Sequence, residues 1–446
     1  MGMIQTFNQA WRIPEMRKKL LFTLLILVIF RLGSNIPVPG VNKLLLTSMF
    51  NANEAGLLGL FDMFSGGSFS NFTIFALGVG PYITSSIIIQ LLTVAIPALE
   101  ELAKQGEEGK RKINRITRYT AVGLALIQAI GYTFGLFRNV LIEDFATVFG
   151  KIVIVLILVA GSCILMWLGE KINDKGIGNG VSLIIFAGIV SRIPTAISNT
   201  FRALSAGGWS FLGQTAEDGT KTVGILSVIL FVIFALIVIV GIILVTEGTR
   251  KIPVQYAKRV VGRKMYGGQS THIPVKVNQA GVIPIIFALS ILQFPLTITY
   301  FLQSDSNFSV WVTKWLSPNG NPGVWVYAVL NFILIIAFTY FYTGITFNPS
   351  EVAENMKANG GFIPGIRPGK ATEEYLSKVM NRITIVGAVF LAVIATLPTI
   401  LSVLVPSLKG IHFGGTSLLI AVGVALDTVR QLENQMLMRN YQGFLK

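Results

Sequence analysis

Ile74-Phe75-Ala76-Leu77-Gly78-Val79-Gly80-Pro81-Tyr82-Ile83-Thr84-Ser85-Ser86-Ile87-Ile88-Ile89-Gln90-Leu91-Leu92-Thr93-Val94-Ala95-Ile96 runs without a single charged side chain. A helix that crosses a bilayer needs about 20 mostly apolar residues, so this stretch reads as a membrane span. Its start is interrupted by Gly78-Val79-Gly80-Pro81. Proline removes a backbone donor and clashes with the preceding turn, which predicts a helix with a weakened beginning.

Nine further stretches pass the same test. Their apolar cores lie near Leu20 to Phe30, Tyr119 to Leu136, Ile152 to Leu168, Val181 to Ile197 and Val223 to Val245, then Ala280 to Phe301, Trp325 to Ile345, Ile383 to Val405 and Ser417 to Leu432. Arg31 interrupts the first, and its guanidinium is expected to snorkel to the far interface. Pro37, Pro39 and Gly40 follow as a turn with no small-residue cleavage site, so the first span is not read as a cleaved signal. The composition agrees: of 446 residues, 52% are hydrophobic and 13% charged, where a soluble chain carries about 25% charged. The fold class predicted is an all-α polytopic membrane protein with ten spans.

Most of the 36 Lys and Arg residues fall in segments that share a side with the N-terminus. By the bias of basic residues toward cytoplasmic loops, both termini are expected in the cytoplasm. Met1-Gly2-Met3-Ile4-Gln5-Thr6 fits a myristoylation pattern; a chain with ten spans needs no lipid anchor, and the motif is set aside.

Ten spans divide into five and five, and five is odd. If the halves are related folds, the second enters the membrane from the opposite side, an inverted repeat whose functional site sits between the halves. The seventh span, second in its half, carries Gly281-Val282-Ile283-Pro284 and then Pro295, matching the interruption in the second. Before the second span, Leu57-Leu58-Gly59-Leu60-Phe61-Asp62-Met63-Phe64-Ser65-Gly66-Gly67 is apolar but too short to cross. It reads either as a short re-entrant helix tucked into a cavity or as a loop lying on the surface.

Several chemistries are missing. The 21 acidic residues fall in loops or near span ends, with Asp427 the deepest, so the mid-membrane charge that ion-coupled transporters use is not evident. Gly365-Ile366-Arg367-Pro368-Gly369-Lys370-Ala371-Thr372 lacks the spacing of a phosphate-binding loop. One cysteine and two histidines, His272 and His412, leave little for a disulfide framework, a metal centre or a thiol nucleophile. No cofactor and no enzyme activity are expected. What stands out instead is two large basic loops. Thr246 to Gln279 carries Arg250, Lys251, Lys258, Arg259, Arg263, Lys264 and Lys276, and its Ile252-Pro253-Val254-Gln255-Tyr256 and Ile273-Pro274-Val275-Lys276-Val277 strings flank Gly267-Gly268 like a hairpin. Phe347 to Arg382 holds Gly360-Gly361 and the Gly365 to Lys370 turn. Such loops signal topology and contact anionic lipid, or dock a large acidic partner, protein or RNA.

Phe64-Ser65-Gly66-Gly67, Pro81-Tyr82-Ile83-Thr84-Ser85-Ser86-Ile87-Ile88-Ile89-Gln90-Leu91-Leu92 and Gly176-Ile177-Gly178-Asn179-Gly180 closely resemble the SecY family. So do Gln279-Ala280-Gly281-Val282-Ile283-Pro284, Gly365-Ile366-Arg367-Pro368-Gly369 and Gly414-Gly415-Thr416-Ser417-Leu418-Leu419-Ile420, in the family's order and over nearly the whole chain. Only Leu204 to Lys221, rich in glycine, departs from the pattern, as an extracytoplasmic insertion. The resemblance implies the pore subunit of a bacterial plasma-membrane protein translocon: a passive channel for unfolded, signal-bearing polypeptides, with sideways release of apolar segments into lipid. It implies an N-terminal half at 1–200 and a C-terminal half at 223–446, joined by an extracytoplasmic loop at 201–222, with docking loops at 246–279 and 347–382.

By motif position the resemblance implies a closing ring of Val79, Ile83, Val181, Ile185, Ile286 and Ile420. It implies a plug within a segment of about 51–72, built on Leu57, Leu58, Leu60, Phe61, Met63 and Phe64. Thr84, Gln90, Asn179, Phe294 and Thr416 would line a lateral gate between the second and seventh spans. Arg250, Lys258, Arg259, Arg263, Lys264, Arg367 and Lys370 would dock the ATPase SecA or the ribosome. The small subunits SecE and SecG, signal sequences and anionic lipids complete the expected partners. Without the resemblance, a small-solute secondary transporter with inverted repeats is the competing reading, and an intramembrane protease a weaker third, lacking paired catalytic residues in the spans.

Overall fold

The computed structural model describes residues 10–52, 62, 65–138, 140–206, 225–256, 259–261, 264–266, 270–299, 306–316, 322–404 and 415–443. A helix forms at each of the ten predicted spans. The first half holds α1 (Pro14–Gly33), the short α2 (Lys43–Ala52), α3 (Gly80–Ala95), α4 (Pro97–Lys104), α5 (Glu107–Gly131), α6 (Val148–Lys175), and a fifth span split into α7 (Gly180–Ser191) and α8 (Ile193–Ala206). The second half holds α9 (Ile225–Glu247), α10 (Ile283–Thr299), α11 (Asn307–Leu316), α12 (Gly323–Thr346), α13 (Pro349–Ala358), α14 (Lys370–Leu404) and α15 (Gly415–Gly443). Among the described residues, six helices are long and apolar enough to cross a membrane, or seven if α3 and α4 count as one bent span.

The second span is shorter than its apolar string. Residues 74–79 form turns, and α3 starts only at Gly80 with Pro81 in its first turn. Gly78 has φ +58°, a left-handed conformation natural to glycine. Hydropathy alone could not distinguish this buried, turned backbone from a helix. At its other end α3 bends by 100° into α4, where Pro97 begins an amphipathic helix with no buried residue.

The two halves repeat one packing order. In the first, α3 packs on α5, α5 on α6, α6 on α7, and α1 on α6 and α7. In the second, α10 packs on α12, α12 on α14, α14 on α15, and α9 on α15. Each second-half contact has its counterpart one half earlier. Between the halves, α3 meets α10 and α7 meets α15: the second span faces the seventh and the fifth faces the tenth. One apolar cluster runs through both halves, from Ile26 and Phe30 in α1 to Leu419, Ile420 and Val424 in α15. α9 presents Leu230, Ile233, Ile237 and Leu244 outward, a face suited to lipid.

The fold is not wholly helical. The predicted hairpin is present as β1 (Thr249–Tyr256) antiparallel to β4 (Ser270–Lys276), with Ile252 opposite Ile273. A small hairpin, β2 (Arg259–Val261) with β3 (Lys264–Tyr266), extends from it. β5 (Gly361–Phe362) adds to the free edge of β1. Ile252, Val254 and Val275 then pack with Met356, Ile363, Leu376 and Met380, so the two predicted docking loops form one unit with its own core.

Candidate functional site

The six predicted ring positions all belong to one apolar cluster that spans both halves. Val79 precedes the first turn of α3 and Ile83 lies one turn on, the amide of Ile83 donating to the carbonyl of Val79 at 3.1 Å. Val181 and Ile185 take the same i, i+4 relation in α7, and residues so spaced share a helix face. Ile286 comes from the first turn of α10 and Ile420 from the first turns of α15. Val79, Ile185 and Ile420 are buried in the cluster that spans both halves, and Ile83, Val181 and Ile286 are partly buried against it. The four contributing helices are those through which the halves meet. Branched aliphatic side chains offer water no hydrogen bond, so a constriction lined by them excludes water and ions.

Beside this cluster lies a cavity, bordered by Val79, Ile83 and Ile286 and by Thr84, Gln293 and Phe294. It therefore sits at the α3–α10 contact. Phe294 is largely exposed, and Gln293 presents a buried amide nitrogen with no hydrogen-bond partner among the described residues. Gln293 was missed in the sequence; its placement one residue before Phe294 on the broken helix is the signal that could have found it.

The predicted polar gate cluster is divided. Thr84 donates to the carbonyl of Gly80 at 3.1 Å, and the Gln90 amide donates to Ser86 at 3.4 Å. Asn179 is exposed and caps α7, its side chain accepting from the amide of Ser182 at 3.3 Å. Thr416 is buried in the first turn of α15. Thr84 and Phe294 share the cavity, whereas Asn179 is engaged in satisfying an orphan donor at a helix start, where asparagine is favoured. The hydrogen bonds of Thr84, Gln90 and Asn179 each stay within one helix, so no mutual polar latch among these three is seen.

A different polar contact ties the segment before α3 to the end of α7. Asp62, nearly fully buried, forms an ion pair with Arg192 at the break between α7 and α8, and its other carboxylate oxygen accepts from the amide of Ser70 at 2.7 Å. Arg31, which the sequence sent to the interface, donates to the carbonyl of Gly66 at 3.0 Å. The predicted plug residues Leu57, Leu58, Leu60, Phe61, Met63 and Phe64 lie outside the described residues.

On the loop unit, Arg250 in β1 and Arg367 and Lys370 at the second loop's turn are exposed. Gly365 and Gly369 adopt φ of +82° and +99°, and the Arg367 carbonyl accepts from the Thr372 hydroxyl at 2.9 Å, which fixes the turn that presents the Arg367 side chain. Arg259 and Lys264 occupy the strands of the small hairpin; Lys258 and Arg263 lie outside the described residues. Among the described residues no group of His, Cys, Asp and Glu could hold a metal ion.

A model of the SecY family matches residues 73–429. The protein translocase subunit SecY of Halalkalibacterium halodurans is 46% identical over 450 residues, covering all of both chains, and that of Streptomyces galbus is 45% identical over 457 residues, again covering all of both. Among solved structures, one described as a protein conducting channel superposes with a TM-score of 0.66 at 19% identity, covering 96% of this chain and 97% of the other. Another, concerning the plug domain of a SecY protein and its role in the closed state and the membrane seal, gives 0.60 at 19% identity over the same shares. Canine Sec61 in a ribosome-channel complex gives 0.60 at 18% identity, also over 96% and 97%. The chain belongs to the SecY family.

Proposed function

We propose that this membrane-embedded chain is a passive protein-conducting channel of a bacterial plasma membrane. Unfolded, signal-bearing polypeptides pass between its halves, and apolar segments leave sideways where α3 meets α10. The observation that carries the reading is that six aliphatic side chains, on or next to the four helices through which the halves meet, belong to one apolar cluster spanning both halves. A ring of methyl groups binds no substrate side chain strongly, so it tolerates any sequence while resisting water and ions at rest. The segment at about 51–72 acts as the plug, in keeping with the plug domain described for a SecY relative.

The driving force comes from outside. The exposed Arg250, Arg367 and Lys370, on one unit with the small hairpin, form the docking surface for SecA or for the ribosome; canine Sec61, which shares the fold, is described in a ribosome-channel complex. SecE and SecG associate through lipid-facing surfaces, anionic lipids through the basic loops, and both termini are cytoplasmic. The test is import into vesicles containing this chain, SecE, SecG and SecA. ATP-dependent protection of an unfolded, signal-bearing protein is the expected result; uptake of a small solute with no protein import would overturn the reading.

A further inference from the structure

We propose that Asp62 and Arg192 form a charge latch that holds the later, turned part of the plug segment against the fifth span and so keeps the resting channel sealed. The inference deepens the plug reading and rests on it. Three contacts fasten this turn. Arg31 at the end of α1 donates to the carbonyl of Gly66. Gly66, at φ +66°, lies so close to α7 that an added Cβ would stand 2.6 Å from the Cα of Gly188. Arg192, one turn beyond Gly188, closes on Asp62. Inside the turn, the Asp62 carbonyl accepts from the Gly67 amide at 3.1 Å and from the Ser65 hydroxyl at 3.2 Å.

The pair is asymmetric. The Asp62 side chain is 3% exposed and that of Arg192 39% exposed. A buried carboxylate stripped of its cation is strongly unfavourable, whereas a half-exposed guanidinium can turn to water. Loss of Arg192 therefore drives the turn outward to hydrate Asp62. Loss of the Asp62 charge removes the clasp without leaving a buried charge, and the amide oxygen still accepts from Ser70.

The experiment measures resting ion conductance of the full chain in planar bilayers for Arg192→Gln, Asp62→Asn, both together, and a chain lacking 53–61. Arg192→Gln is expected to raise conductance about tenfold, a factor that corresponds to about 1.4 kcal/mol. Asp62→Asn is expected to raise it less, and the double variant to behave like Asp62→Asn, so that neutralising the carboxylate rescues the loss of its partner. If the chain lacking 53–61 leaks while Arg192→Gln and Asp62→Asn stay tight, the latch is overturned and the plug reading stands. A chain lacking 53–61 that stays tight removes the plug reading and the latch with it. A second variant guards against misfolding: Asp62→Cys with Arg192→Cys, in a Cys163→Ser background. Oxidation should halt import and reduction restore it; import undiminished with the disulfide formed would overturn the latch.

Discussion

Replacing Ile286 by Asn places an amide in the aliphatic cluster where the first turn of α10 faces α3. Ile286 is only partly buried and borders the cavity beside Val79 and Ile83. An amide left there without a partner costs about 1–3 kcal/mol, and water entering the constriction removes that cost. The wetted state is thereby favoured by roughly the same amount. Because Ile286 already has space on one side, the lower part of that range applies, about 1–2 kcal/mol, which is roughly a 5- to 30-fold rise in the conducting fraction. Ile286→Leu keeps the volume and the apolar surface, and such swaps disturb packing by less than about 1.5 kcal/mol, so its conductance stays near that of the parent. The assay is single-channel recording of purified protein in planar bilayers without partner or substrate. The same change at Ile83, across the contact in α3, should act in the same direction. If Ile286→Asn and Ile83→Asn both insert, fold and conduct no more than the parent, the ring is not the seal.

Linking the halves across the gate, with Thr84→Cys and Phe294→Cys in a Cys163→Ser background, should stop import and lateral release on oxidation; continued transport with the disulfide formed rules out this seam as the route. Arg367→Glu reverses an exposed charge on a fixed turn, so ATP-driven import should fall at least about tenfold by loss of the charged contact while the size-exclusion profile stays unchanged; undiminished import would remove Arg367 from the docking surface. Gly161→Ala puts a methyl group against the carbonyl of Ile74, backbone that cannot rotate away. Overpacking of this kind costs about 1–3 kcal/mol and should lower the thermal midpoint in detergent; an unchanged midpoint contradicts the close approach of α6 to the turn before α3.

What could be seen in the sequence was what periodicity and local chemistry encode. Long, mostly apolar runs marked the ten predicted spans, and the Ile252 to Tyr256 and Ile273 to Val277 strings flanking Gly267-Gly268 marked the β1–β4 pair. The proline-containing starts of the second and seventh spans marked the elements through which the halves meet. Long-range pairing was hidden. Asp62 looked like a loop residue at the end of an apolar string, and nothing local ties it to Arg192. The Ile74 to Val79 stretch has helical hydropathy but turns, because Gly78 takes a positive φ that composition does not reveal. Asn179 fits a polar gate by motif position, yet its place just before α7 gives it the work of a cap. Phe347 to Arg382 showed its turn glycines but not that Gly361 and Phe362 would extend the sheet begun by β1.

The most direct test of the account is to ask what a polypeptide halted midway through the channel touches at its narrowest point. Single cysteines at Ile83, Ile185, Ile286 and Ile420, each in a Cys163→Ser background, can be crosslinked to single cysteines placed along a stalled, signal-bearing substrate. The account predicts that all four positions capture the same few consecutive substrate residues. Capture at widely separated substrate positions, or at none while a cysteine on the lipid-facing side of α9 is captured, would contradict it.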